Sequence, residues 1–215
     1  MKSSRGLTRN PLRVYVEYDV VDRDGRVVRR GRQLSHSFLV PWIKYLSRFL
    51  YTTSGTNPPT TSVIDVTGSS RTIPYTGSYY FYNHVPGFWA TIGQSDRGIV
   101  VGSGSTPNSS STYKLDSQIS HGTSAGQLQY GDESVTDVTE VSPGVFEAVL
   151  SRPFTNVGGV DVVVRECGIY ALMHDTGANM RFVCVLRDLL NPPDGVTVPD
   201  SYGIIIRYRF RMTIS

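Results

Sequence analysis

The residue types that chemistry needs are few in this chain, and their spacing argues against most of it. Four histidines, His36, His84, His121 and His174, are scattered, with no i, i+4 pair and no cysteine at ligand spacing. The sequence therefore offers no metal centre. Gly122-Thr123-Ser124-Ala125-Gly126 fits the Gly-x-Ser-x-Gly pattern of a hydrolase nucleophile elbow. Such an elbow needs a buried strand before the serine and a helix after it. Polar residues 117–121 precede this run and strand-like Gln127 to Tyr130 follows, so it reads as a glycine-rich loop. Asp22-Arg23-Asp24-Gly25 opens like a calcium loop, but Arg26 stands where another oxygen is wanted and Gln33 occupies the twelfth position; a hairpin turn is the reading. Gly102-Ser103-Gly104 follows a strand like a dinucleotide fingerprint, yet Pro107 replaces the third glycine and no helix follows. Asp137 and Glu140 read as strand-face or turn acids rather than sugar-cleaving carboxylates. No catalytic residue, metal ligand or cofactor is expected.

Cys167 and Cys184 flank a turn at Asp175 to Asn179 but are not equidistant from Gly177. A symmetric hairpin does not pair them, and two buried thiols are favoured over a disulfide that only a bulge or register shift would permit.

These residues must be positioned by a turn-rich, strand-rich chain. Of 215 residues 21 are Gly and 12 Pro, only 18% are charged and 11% are aromatic, which excludes general disorder and a coiled coil. The net charge of +3 is too small for phosphate attraction to govern the surface, so nucleic acid is unsupported. Basic residues do cluster at Arg26, Arg29, Arg30 and Arg32, and alternate at Arg207, Arg209 and Arg211, as they would on the outward face of a strand. Lys2, Arg5 and Arg9 are followed by no apolar run, and nowhere is there a stretch of about 18 uncharged apolar residues. A soluble product without signal peptide or membrane span is expected.

Leu12 to Val20 alternates as a half-buried strand and returns through Asp22 to Gly25 in a hairpin. Phe38, Trp42, Leu46 and Phe49 recur at helical spacing and predict one substantial helix near residues 37–51, with Pro41 in its first turn and its stripe packed on a sheet. Short strands are expected at Ser62 to Thr67, Arg71 to Tyr75, Tyr79 to Tyr82 and Gly98 to Val101. Further strands are expected at Gln127 to Tyr130, Ser134 to Val141, Val145 to Pro153, Val160 to Met173, Met180 to Leu190 and Tyr202 to Ile214. The fold expected is mainly β, an antiparallel β sandwich or jelly roll with that helix laid against it. Residues 98–215 form the main sandwich, and 1–97 are either an elaboration of it or a small second domain.

Two surface features invite contact. Tyr75, Tyr79, Tyr80, Phe81, Tyr82, Phe88 and Trp89 crowd one stretch, where they form an interface or close one end of the β core. The uncharged run from Ser103 to Thr112 reads as a flexible loop free to order against a neighbour through Ser105, Thr106, Asn108 and Ser110; deleting Ser105 to Ser111 is expected to spare folding and weaken assembly.

Several stretches together resemble a known class. They are Asp22-Arg23-Asp24-Gly25-Arg26-Val27-Val28, Leu34-Ser35-His36-Ser37-Phe38-Leu39, Gly98 to Pro107, His121 to Gly131, Val164 to Tyr170, Val185 to Leu190 and Tyr208 to Ile214. They resemble β-rich virion structural proteins of tailed viruses of bacteria and archaea, the components of capsid, decoration and tail. The resemblance implies a non-catalytic role, a virion location after synthesis in the host cytoplasm, and partners that are copies of itself and other virion proteins. The alternative is a carbohydrate-binding sandwich whose exposed tyrosines and Trp89 stack on a surface glycan.

Overall fold

The computed structural model of the protein describes residues 12–35, 38–44, 60–74, 87–191 and 193–214. It is mainly β and antiparallel, with strands β1 (Leu12–Val21), β2 (Val27–Leu34), β3 (Thr60–Ile64), β4 (Ser70–Pro74), β5 (Gly98–Gly102), β6 (Gln129–Tyr130) and β7 (Ser134–Val135). The remaining strands are β8 (Thr139–Ser142), β9 (Val145–Thr155), β10 (Val162–Val164), β11 (Glu166–His174), β12 (Met180–Leu189), β13 (Val196–Val198) and β14 (Gly203–Thr213). Residues 40–44 are helical, with Pro41 in that first turn where its missing amide costs nothing. The rest of the expected helix, 45–51, and the expected strand from Tyr79 to Tyr82 lie outside the described residues.

The main sheet runs β2-β1-β14-β9-β6, with β7 and β8 also paired to β9. Alternation builds it. Val14, Val16, Tyr18 and Val20 of β1 and Ile204, Ile206 and Tyr208 of β14 are buried on one face, each large side chain contributing about 1.5–3 kcal/mol. Opposite β1 and β14, the intervening residues point to water. A second sheet, β12-β11-β5, lies against the buried face; the Tyr208 hydroxyl meets the Cys167 thiol at 3.2 Å, and Tyr130 donates to the Ile119 carbonyl at 2.6 Å. This second sheet is buried on both sides, which is why its strands read as apolar runs without alternation.

The hairpin β1–β2 turns where expected: Asp22 Oδ1 accepts the amides of Asp24 and Arg26, and Gly25 takes φ +79°. In β2, Gly31 lies under the Tyr18 ring, where a Cβ would stand 2.2 Å from the ring. One core contains Val14 and Ile73 together with Leu128, Val183 and Ile206, so the described part of residues 1–97 shares its core with 98–215. The helical turn contributes Trp42, which stacks between Phe88 at 6.4 Å and Phe210 at 6.2 Å. Phe38 of the predicted stripe remains exposed.

Two expected strands differ in detail, and one strand is unexpected. Ser134 to Val141 is split into β7 and β8, Val160 to Met173 is broken at Arg165 into β10 and β11, and β13 arises between Pro193 and Pro199, a stretch for which the sequence predicts no strand.

Candidate functional site

The charged side chains inside this molecule are anchors. In β9, Arg152 is fully buried and donates to five carbonyls: Gly131, Arg97, Ile99, Thr91 and Gln94. Its guanidinium lies 4.9 Å from the Tyr130 ring centroid. Beside it Glu133 accepts the amides of Ala90 at 3.1 Å and Ile99 at 2.7 Å. Together they fix the loop before β5. Gly98 makes room for this carboxylate, since a Cβ there would meet Glu133 at 2.6 Å.

Burial pushes the Glu133 carboxyl up to about 7, against the Ile99 and Ala90 amides and the Arg152 charge that hold it down. An acid raised in the folded state binds its proton there more tightly than in the unfolded chain. Folding stability should therefore fall as the pH rises from about 4.5 to 7, by on the order of 3 kcal/mol. Denaturant titrations across that range check this, and Glu133→Gln should flatten the decline in that window while losing one amide acceptor.

A second knot lies on the outer side of β11. Glu166, fully buried, accepts the amides of Gly104, Ser117 and Asp116 and takes Arg187 Nε at 2.6 Å. Arg187 in turn donates to Asn108 Oδ1 at 2.6 Å and the Thr106 carbonyl at 2.8 Å. Gly102 and Gly104 are needed because a Cβ on either would lie 2.5 or 2.6 Å from Glu166 Oε1. The pair of glycines that resembles a phosphate loop is a berth for a carboxylate. The Ser103 to Thr112 stretch, expected to be a flexible connection, is pinned at Gly104, Thr106 and Asn108; Ser105 and Ser110 face water. Deleting Ser105 to Ser111 should therefore cost stability, contrary to the composition-based expectation.

Two further acids close turns. Burial raises the Asp175 carboxyl, but amides of Asn179 and Gly177, the Asn179 side chain and Arg181 outweigh it and hold it at about 2. Asp65 is likewise held low, burial being outweighed by Thr67, Arg71 and Ser69.

The other expected residues fall as follows. Gly122 to Gly126 is an exposed turn in which the Ser124 amide bonds Gln127. His121 Nδ1 accepts the Tyr130 amide. Cys167 and Cys184 are free and buried, and burial pushes both thiols up. A bulge between Ile169 and Tyr170 sets Cys167 opposite Asp188 and Cys184 opposite Tyr170. Phe88 packs against the core, Trp89 is exposed, and Tyr75, Tyr79, Tyr80 and Tyr82 lie outside the described residues. Among the described residues no group of three or more His, Cys, Asp or Glu side chains is placed to hold a metal. No helix among them is long and apolar enough to cross a membrane.

What remains for function is the surface of the main sheet. On its outer face the alternating arginines form a ladder: Arg30 and Arg207 flank Asp19 at 3.3 and 2.9 Å, and Arg32 and Arg209 flank Glu17 at 3.2 and 3.0 Å. Arg209 and Arg211 then share Glu147, whose carboxyl they hold low against burial. The ladder floors a hollow of about 430 Å³ open to water. At the sheet's two ends exposed apolar residues collect, Val27 and Val28 on β2, and Val135 on β7, Val141 on β8 and Val138 between them. Sequence reading missed these edges and the anchors alike. The signal for the anchors was a charge standing among apolar residues, Glu166 alone in β11, Arg152 in β9 and Arg187 in β12. Comparison with protein-family models, curated proteins and solved structures finds no match for the chain.

Proposed function

We propose that this chain is a non-catalytic virion structural protein, a capsid, decoration or tail component, that acts by associating with copies of itself and with other virion proteins. The observation that carries the reading is the main sheet's pair of open edges: among the described residues no strand continues the sheet beyond β2 or beyond β8, and both edges expose valines. Uncovered strand edges are templates for pairing with another chain. The interior supports the same reading, because the buried Arg152, Glu133, Glu166 and Arg187 have their hydrogen bonds committed to loops and strands. The resemblance of the turn and strand signatures to virion proteins gives the role class.

Electron microscopy and light scattering of the purified chain test it. Rings, shells or tubes are expected. Dispersed monomers that bind glycans would replace it with the carbohydrate-binding reading, in which exposed Trp89 stacks on a sugar face.

A further inference from the structure

We infer that copies of this chain join head to tail by continuing the main sheet, the β2 edge of one copy lying along the β7–β8 edge of the next. This rests on the self-association proposed above and names its surface. Charge divides the two edges. Residues 26–34 carry Arg26, Arg29, Arg30 and Arg32 and no acid, whereas residues 132–142 carry Asp132, Glu133, Asp137 and Glu140 and no Lys or Arg. Glu133 is buried, which leaves three acids at that edge, and Arg30 and Arg32 are paired with Asp19 and Glu17, which leaves Arg26 and Arg29 to set the charge of the other. Pairing β2 with β2, or β8 with β8, sets like charges together, while pairing β2 with β8 sets opposite charges together. Electrostatic complementarity of this kind selects partner and register more than it adds raw affinity.

The apolar contribution comes from the same edges. Val28, in β2, is 54% exposed, and Val138, in the connection between β7 and β8, is 63% exposed. Arginines on a lone edge strand guard against indiscriminate pairing; here an acidic edge on the same sheet converts the guard into a choice.

Strand direction fits the join. Each step from β2 through β1, β14 and β9 to β8 is antiparallel, four reversals in all, so β2 and β8 run the same way. A second copy placed beside the first with its charged ladder on the same side therefore meets it with parallel edges. Two different surfaces meeting in this way make a heterologous contact, which closes into a ring or continues as a filament rather than stopping at a two-fold dimer.

The test uses the full chain and three variants, Val138→Lys, Val28→Glu and the double Val28→Glu/Val138→Lys, followed by light scattering across concentration and by electron microscopy. Both valines are more than half exposed, so folding, checked by circular dichroism and melting, should not change. Each single variant sets a like charge on its partner edge and should raise the concentration needed for assembly about tenfold or more. In the proposed join Val28 of one copy lies against Val138 of the next, so the double variant pairs the new lysine with the new glutamate and should restore most of the loss. If the parent assembles and Val138→Lys assembles equally well, or if the double variant fails to restore, edge pairing is wrong while self-association stands. A parent that stays monomeric at every concentration overturns self-association itself, and edge pairing with it.

Discussion

Arg152→Met should lower Tm by about 8–16 °C, corresponding to a loss of about 4 kcal/mol in a chain of this length. A guanidinium has five N–H donors, and in Arg152 all five are used: Nε on Gly131, one Nη on Arg97 and Ile99, the other on Thr91 and Gln94. Methionine fills much of the space but leaves five carbonyls without this donor, and each buried group left unsatisfied costs about 1–3 kcal/mol before relaxation. Relaxation is available on one side only. The loop carrying Thr91 and Gln94 can swing to water, whereas Ile99 is buried in β5. The damage should therefore appear first as faster amide exchange in residues 91–97. Arg152→Lys should recover little, because an ammonium has three donors and no planar fork. Loss of the positive charge also removes one of the influences holding the Glu133 carboxyl down, so the fall in stability, still beginning near pH 4.5, should extend to higher pH. A Tm within about 2 °C of the parent would show that these carbonyls find other partners.

How much of this was legible depends on what a residue's own neighbours in sequence report. Leu12 to Val20 and Arg207 to Arg211 were readable as strands with a wet face because one side meets water and the other the core, and that contrast is written into the alternation. In β11 and β12 both faces are covered, so the strands were visible as apolar runs but their faces were not; only the pairing shows Glu166 turned toward the Gly102 to Ser117 loop and Cys167 toward Tyr208. The Gly- and Ser-rich composition of residues 102–111 reports the freedom of an isolated backbone. It says nothing of Arg187, which is 81 residues from Thr106 and 79 from Asn108. The same limit hid the sheet's edges. The basic character of β2 and the acidic character of 132–142 are plain in the sequence, but that they bound one sheet follows from β1 pairing with β14 across most of the chain.

The second large effect is expected at Glu166. Glu166→Ala should cost about 3–5 kcal/mol, because it strands a buried Arg187 guanidinium and leaves the amides of Gly104, Asp116 and Ser117 without their acceptor. Arg187→Met should cost a similar amount, since it leaves the carboxylate buried without its cation and the Thr106 carbonyl and Asn108 Oδ1 without their donor, although Asn108 Nδ2 keeps its bond to the backbone carbonyl of residue 187. If the two side chains act as one knot, the double replacement should cost less than the sum of the singles by about 1–3 kcal/mol, because neither variant then leaves an uncompensated charge behind. The loss should also have a place. The segment 103–119 is held to the second sheet through this pair, and in either single variant it should become the earliest site of proteolysis while the main sheet keeps its protection. Deleting residues 105–111 should act in the same direction, because it removes the Thr106 carbonyl and the Asn108 amide from the guanidinium. Urea titration and limited proteolysis of the four proteins decide it: additive costs, or a 103–119 segment as resistant in Glu166→Ala as in the parent, would mean that the loop is held by its other contacts and that Glu166 and Arg187 are two separate buried charges.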